Sequence, residues 1–115
     1  MNGQKYVGLL MNSRTQAHAF HLTTNSFAQH KALQAYYEGI VPLFDSYAEA
    51  YMGKYGRFRR IIVGRRTIAR NPKLYFRSLL TQLRRMRLPR DSYLKNIQDE
   101  ITALVRSTLY MLSLK

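Results

Sequence analysis

The sequence predicts an all-α protein, a single four-helix bundle formed by residues 1–115. Apolar residues recur at helical spacing in four segments, and the Pro and Gly residues fall mainly between those segments. The chain has 115 residues, of which 46% are hydrophobic, so it is long enough for one domain with a substantial core and too short for two. It has no cysteine, which excludes disulfides, thiolate zinc sites and thiol nucleophiles.

The first two helices are predicted at residues 4–22 and 27–52. The four polar residues between them are suited to capping the second helix. Pro42 lies inside the second helix, where it removes a backbone hydrogen bond at a cost of about 3 kcal/mol. We therefore expect a kink near residue 40. Gly53 and Gly56 are candidate stop signals for this helix.

The second half of the chain predicts two further helices. Residues 57–70 are a basic stretch with a short apolar run, and a short helix and a loop are both open there. Asn71 and Pro72 predict the start of the third helix, as cap and first helical residue, and this helix should end near residues 88–89. Asp91 or Ser92 is expected to cap the fourth helix, which carries a long apolar stripe. Four amphipathic segments with mostly short connections favour a bundle, and an all-helical fold with other connections is the alternative.

The positive charge is concentrated in one half of the chain. The net charge is +13, yet residues 1–55 hold four basic and three acidic side chains, while residues 56–115 hold fifteen basic and three acidic ones. Clustered Arg and Lys favour a polyanionic partner, nucleic acid first and an acidic protein surface second. A merely solvated surface is the alternative. No base-reading motif is present, so binding should be non-specific. The candidate contacts are Arg57, Arg59, Arg60, Arg65, Arg66, Arg84, Arg85 and Arg87.

A polar stripe on the second helix combines one histidine with three carboxylates. With His30 as the origin, Gln34 lies at about 40°, Glu38 at about 80°, Asp45 at about 60° and Glu49 at about 100° around the helix. Glu38, Asp45 and Glu49 are half of the six carboxylates in the chain. Imidazole and carboxylate groups suit iron, and also zinc or manganese, and bundle cores hold such ligands. A solvated helix face is the alternative interpretation.

Residues 17–49 resemble the ferroxidase segment of the Dps mini-ferritins, the DNA-binding iron-storage proteins of starved bacteria. That family spaces its ligands as a His near the end of the first helix, a second His twelve residues later, an Asp fifteen further on and a Glu four beyond. The same intervals separate His18, His30, Asp45 and Glu49. Gln34 stands where the family usually has an aspartate, and Glu38, one turn on, is the candidate substitute.

The resemblance implies a short, divergent, possibly phage-encoded member with a ferritin-like four-helix bundle. It further implies a site between two subunits, with His18 and His30 from one chain and Asp45 and Glu49 from its two-fold partner. The implied chemistry is oxidation of ferrous iron, in an assembly that is a dimer or a dodecamer, with non-specific DNA binding.

Two other functions remain open. One is a metal-free structural or virion-associated protein that keeps the ferritin-like fold and binds nucleic acid or partner subunits through its basic half. The other is a plain nucleic-acid-binding module. Hydrolase and nucleotide-binding motifs are absent. No segment predicts a membrane span or a signal peptide, so we expect the cytoplasm of a bacterium or an infected cell, or a virion.

Overall fold

A computed structural model describes residues 2–64 and 67–114 and confirms the all-α prediction. It contains four α-helices: α1 (Gly3–Thr23), α2 (Phe27–Tyr55), α3 (Pro72–Arg85) and α4 (Ser92–Leu112). No helix in the described part of the chain is long and apolar enough to cross a membrane. The four helices pack around one shared hydrophobic core, so the architecture is a four-helix bundle.

The helices run up, down, down and up. α1 packs on α2, α2 on α4 and α4 on α3, while α1 and α3 touch only lightly. The end of α2 lies beside the start of α4, because Lys54 forms an ion pair with Asp91. The start of α1 lies beside the end of α3, because the Asn2 side chain donates a hydrogen bond to the Arg87 carbonyl at 3.2 Å. All neighbouring helices are therefore antiparallel, and α2 and α3 occupy diagonal corners joined by one long connection.

The predicted starts of α2 and α3 are confirmed, whereas α2 ends at Tyr55, three residues beyond its predicted end, and the Asp91 side chain makes no capping hydrogen bond at the start of α4. The Ser26 hydroxyl accepts a hydrogen bond from a backbone N–H in the first turn of α2, and the Asn71 side chain does the same for α3. Gly56 ends α2 with φ of 97°, a conformation that favours glycine. The third helix ends at Arg85, three residues before the predicted end, because Met86 is already extended.

Pro42 does not break α2. The helix continues from Phe27 to Tyr55, and Pro42 lies on its exposed side. The carbonyl oxygen that loses its hydrogen bond there faces water, which lowers the cost of the proline. The two halves of α2 therefore keep a common buried face that includes Leu33, Ile40 and Tyr47.

The connection between α2 and α3, residues 57–71, is a loop over its described part, and we call it the crossover. Its described residues lie along α1 at the seam between α1 and α3, where they line a groove of about 660 Å³ with both helices. A Cβ atom at Gly8 would overlap the carbonyl oxygen of Ile62, so only glycine lets the crossover approach this closely. Higher on α1, the Gln16 amide donates to the Thr67 carbonyl at 3.0 Å and accepts from the Ala69 N–H at 2.9 Å. The crossover therefore contacts α1 at two positions, Gly8 and Gln16.

A buried hydrogen-bond chain joins α1 to α2 inside the core. The Ser13 hydroxyl donates to the Leu10 carbonyl at 2.6 Å, so its oxygen accepts from the Tyr36 hydroxyl at 2.7 Å. Burial raises the pKa of Tyr36 far above its usual range, and burial raises the pKa of Tyr47 to about 12. Both phenols are therefore neutral core residues at physiological pH.

Candidate functional site

All three histidines lie together at the turn between α1 and α2. The rings of His21 and His30 are stacked, with centroids 3.6 Å apart and planes inclined by 19°. His18 stacks on Tyr37 at 4.4 Å, and its centroid is 6.1 Å from that of His21. His18 and His30, the two predicted ligands, are thus at the same end of the bundle, with His21 between them.

His21 and His30 hydrogen-bond to each other's backbone. The Nδ1 atom of each ring lies 2.8 Å from the carbonyl oxygen of the other residue. A carbonyl oxygen only accepts hydrogen bonds, so both Nδ1 atoms donate, and in the neutral rings each Nε2 atom carries the lone pair. Sequence reasoning did not assign His21 to the site. The signal was its position in the last turn of the first helix, opposite His30 in the first turn of the second.

The predicted carboxylates lie away from the histidines within one chain. Glu38, Asp45 and Glu49 are exposed on the outward side of α2, and Gln34 is half-buried. Over residues 2–64 and 67–114, no group of three or more His, Asp or Glu side chains is close enough to hold a metal ion. One chain alone does not bring the six predicted ligands together, and the metal site stays a prediction.

A basic cleft lies where α3 turns into α4. Its volume is about 720 Å³. Five cationic side chains and one carboxylate line it: Arg84, Arg85, Arg87, Arg90, Lys95 and Asp99. The structure thus brings together three of the predicted contacts and adds Arg90, from the same basic run, and Lys95, which the next helix supplies.

The cations of this cleft have no ionic partner among the described residues. There, the one ion pair joins Lys54 to Asp91, which also accepts a hydrogen bond from the Tyr55 hydroxyl at 2.6 Å. These contacts hold the pKa of Asp91 below its usual range, and the hydrogen bond to Asp91 raises the pKa of Lys54. Asp91 is therefore already paired with a cation of α2, and the five cations and one carboxylate of the cleft leave it a net charge of +4.

The other predicted arginines lie on the crossover. Arg57, Arg59 and Arg60 are exposed and follow directly after the end of α2, which is at the same end of the bundle as the cleft. Arg65 and Arg66 lie outside the described residues. The predicted arginines that the structure describes therefore lie at one end of the bundle, and the three histidines lie at the other end.

Comparison with known proteins identifies relatives of the chain. It is 38% identical over 53 residues to the "Uncharacterized 14.6 kDa protein in mobD-ri intergenic region" of Enterobacteria phage T4. The match covers 46% of this chain. On the other side it covers 41% of the phage protein, so the chain spans less than half of that protein's length. No solved structure matches significantly. A family model described as "Family of unknown function (DUF5856)" matches residues 21–112, from the end of α1 through α4. The chain therefore belongs to the DUF5856 family.

Proposed function

We propose that this protein binds nucleic acid without sequence specificity, through the basic cleft at the α3–α4 turn. The observation that carries the proposal is the convergence of five cations, Arg84, Arg85, Arg87, Arg90 and Lys95, on one cleft that holds a single carboxylate. The exposed arginines at the start of the crossover extend this positive surface at the same end of the bundle.

The chemistry of these side chains suits phosphate. Four of the five are arginines, whose guanidinium groups make two parallel hydrogen bonds to phosphate oxygens. These cations form no ion pair among the described residues, so no ion pair has to be broken before they bind phosphate. Phosphate contacts position a protein on nucleic acid and carry no sequence information, which agrees with the absence of a base-reading motif.

The test is the salt dependence of binding to a fluorescently labelled DNA duplex, measured by anisotropy between about 50 and 200 mM salt. Each phosphate contact contributes about −0.9 to the slope of log Kobs against log salt concentration. Arg85→Ala with Arg87→Ala should therefore make the slope shallower by about 2 and weaken binding to unrelated sequences equally. Arg14→Ala, in the nearly neutral half of the chain, is the matched control and should leave the slope unchanged.

Two results would reject the proposal. One is a wild-type slope near zero, which would mean that no phosphates are neutralised. The other is an equal loss in the Arg14→Ala control, which would mean that overall charge, and not the cleft, governs binding. The phage relative supports a role in an infected cell or a virion, where a protein of this charge meets abundant nucleic acid.

A second candidate is oxidation of ferrous iron by peroxide or oxygen, which takes up the electrons, at a site shared by two copies of the chain. One observation favours it: His30 donates its Nδ1–H to a backbone carbonyl, as metal-binding histidines usually do, which leaves the lone pair of the neutral ring on Nε2. Asp45 and Glu49 are exposed and therefore accessible to the histidines of another copy. In this function the protein would be a Dps-like mini-ferritin.

Iron content per chain, measured after incubation with ferrous iron and removal of free metal, tests this second function. Asp45→Asn and Glu49→Gln alter exposed side chains, so both variants should fold and should lose bound iron. Glu100→Gln, an exposed carboxylate on α4, is the control and should retain it. Equal iron content in all four proteins would exclude Asp45 and Glu49 as ligands.

A further inference from the structure

The three exposed carboxylates of α2 form a straight stripe on the side of the helix that faces away from the core. Glu38, Asp45 and Glu49 are separated by seven and four residues, which keeps them within about 40° around the helix. The buried residues of α2 lie on the opposite side. The stripe, about 16 Å long, makes no ion pair among the described residues.

A stripe of cations lies on α3. Lys73, Arg77 and Arg84 are separated by four and seven residues and also fall within about 40° around their helix. Arg77 and Arg84 are exposed and Lys73 is half-buried. This stripe is likewise about 16 Å long and makes no ion pair in the described part of the chain.

The two stripes have the same spacing when one is read in reverse. From Glu38 the acids follow at seven and eleven residues, and from Arg84 backwards the cations also follow at seven and eleven. We propose that copies of this chain associate through α2 of one copy and α3 of the next, packed antiparallel. In that register Glu38 faces Arg84, Asp45 faces Arg77 and Glu49 faces Lys73 of the second copy.

The stripes cannot pair within one chain. α2 and α3 occupy diagonal corners of the bundle and run parallel to each other, whereas the matched spacing needs an antiparallel pair. A second copy in the reversed orientation supplies that arrangement. Because the surface is polar and its acids and bases complement each other, the occupant that fits is another copy and not an apolar ligand.

The neighbouring residues also fit. Leu74 is 62% exposed and lies about 80° from the basic stripe of α3. On α2 the exposed small residues Pro42, Ser46 and Gly53 lie about 60° from the acidic stripe. When α2 and α3 of two copies pack antiparallel, Leu74 and these small residues lie on the same side of the paired stripes. Leu74 is then opposite the part of α2 near Ser46. The leucine would then lose its exposure to water against a surface of small side chains.

The central pair gives the sharpest test, a charge swap at Asp45 and Arg77, neither of which lines the basic cleft. Sedimentation velocity would measure the association constant of full-length protein freed of nucleic acid, at about 20 mM and about 500 mM salt. We expect the wild-type protein to associate at low salt and to dissociate at high salt. Asp45→Lys and Arg77→Glu should each weaken association about tenfold, and the double variant should recover most of that loss.

Glu100→Lys is the matched control, because it makes the same charge change at an exposed carboxylate outside the stripe. It should leave association unchanged. A wild-type protein that stays monomeric at low salt would overturn the proposal. So would a double variant that associates no better than its single variants. Nucleic acid is absent from this assay, so the result is independent of the DNA-binding measurement.

Discussion

Gln16 should be the side chain on which the position of the crossover depends most. It is 3% exposed, and its amide makes two hydrogen bonds to the backbone of the crossover, one as donor to Thr67 and one as acceptor from Ala69. Leucine at this position would keep the volume and remove both bonds. Each is worth about 0.5–1.5 kcal/mol, and the freed backbone groups lie near solvent, so Gln16→Leu should lower the free energy of unfolding by about 1–3 kcal/mol.

Urea denaturation followed by circular dichroism measures this loss as a lower midpoint at unchanged slope. Gln4→Leu, an exposed position on the same helix, is the control and should change stability by less than about 0.5 kcal/mol. Gln16→Glu should also destabilise, because a carboxylate still accepts from Ala69 but repels the carbonyl oxygen of Thr67. If Gln16→Leu and Gln4→Leu had equal midpoints, the crossover would not be fastened in this way.

Three further variants test other parts of the structure. Gly8→Ala should destabilise by about 1–3 kcal/mol in urea despite the better helix propensity of alanine, because its Cβ meets the crossover backbone; a gain in stability would contradict this contact. Tyr36→Phe should cost about 1 kcal/mol in the same assay, since Ser13 keeps its own bond to a carbonyl; an unchanged midpoint would contradict the buried pair. Lys54 lowers the pKa of Asp91 in the folded state. The stability that this ion pair gives the fold is therefore complete above the ordinary carboxyl pKa of about 3.9, and it is lost as the pH falls through the lower pKa of the folded state. Wild-type and Asp91→Asn thermal midpoints should therefore differ at pH 5 and converge towards pH 2, and a constant difference would refute the linkage.

Local signals in the sequence predicted most of the fold. Ser26 before α2, Gly56 after it, and Asn71 with Pro72 before α3 act on backbone groups within four residues, so their effect can be predicted without tertiary structure. The all-α class followed from the helical spacing of the apolar residues in four segments. The end of α3 was misplaced by three residues because no glycine or capping residue marks it, and the end of α2 by three because Gly53 stays helical and the helix continues to its C-cap at Gly56.

The sites depended on topology, which local signals do not contain. Lys95 joins Arg84 and Arg85 only because α4 turns back antiparallel to α3 and so returns beside its end. The pairing of His21 with His30 required α1 and α2 to pack at one particular register across their turn. The course of the crossover along α1 depended on Gly8 and Gln16, two residues whose partners lie more than fifty residues away.

The light contact between α1 and α3 determines how this core opens. Three of the four seams between neighbouring helices are formed by helix packing, and at the fourth an irregular segment lies along α1, held there by the two hydrogen bonds of Gln16. Sub-global unfolding should therefore begin there, with the crossover detaching first and the α1–α2 and α3–α4 hairpins then separating by rotation about the α2–α4 contact. In amide hydrogen exchange, the facing sides of α1 and α3 would lose protection before α2 and α4 do. We therefore expect the least stable seam of the bundle to be the one along which its longest connection runs.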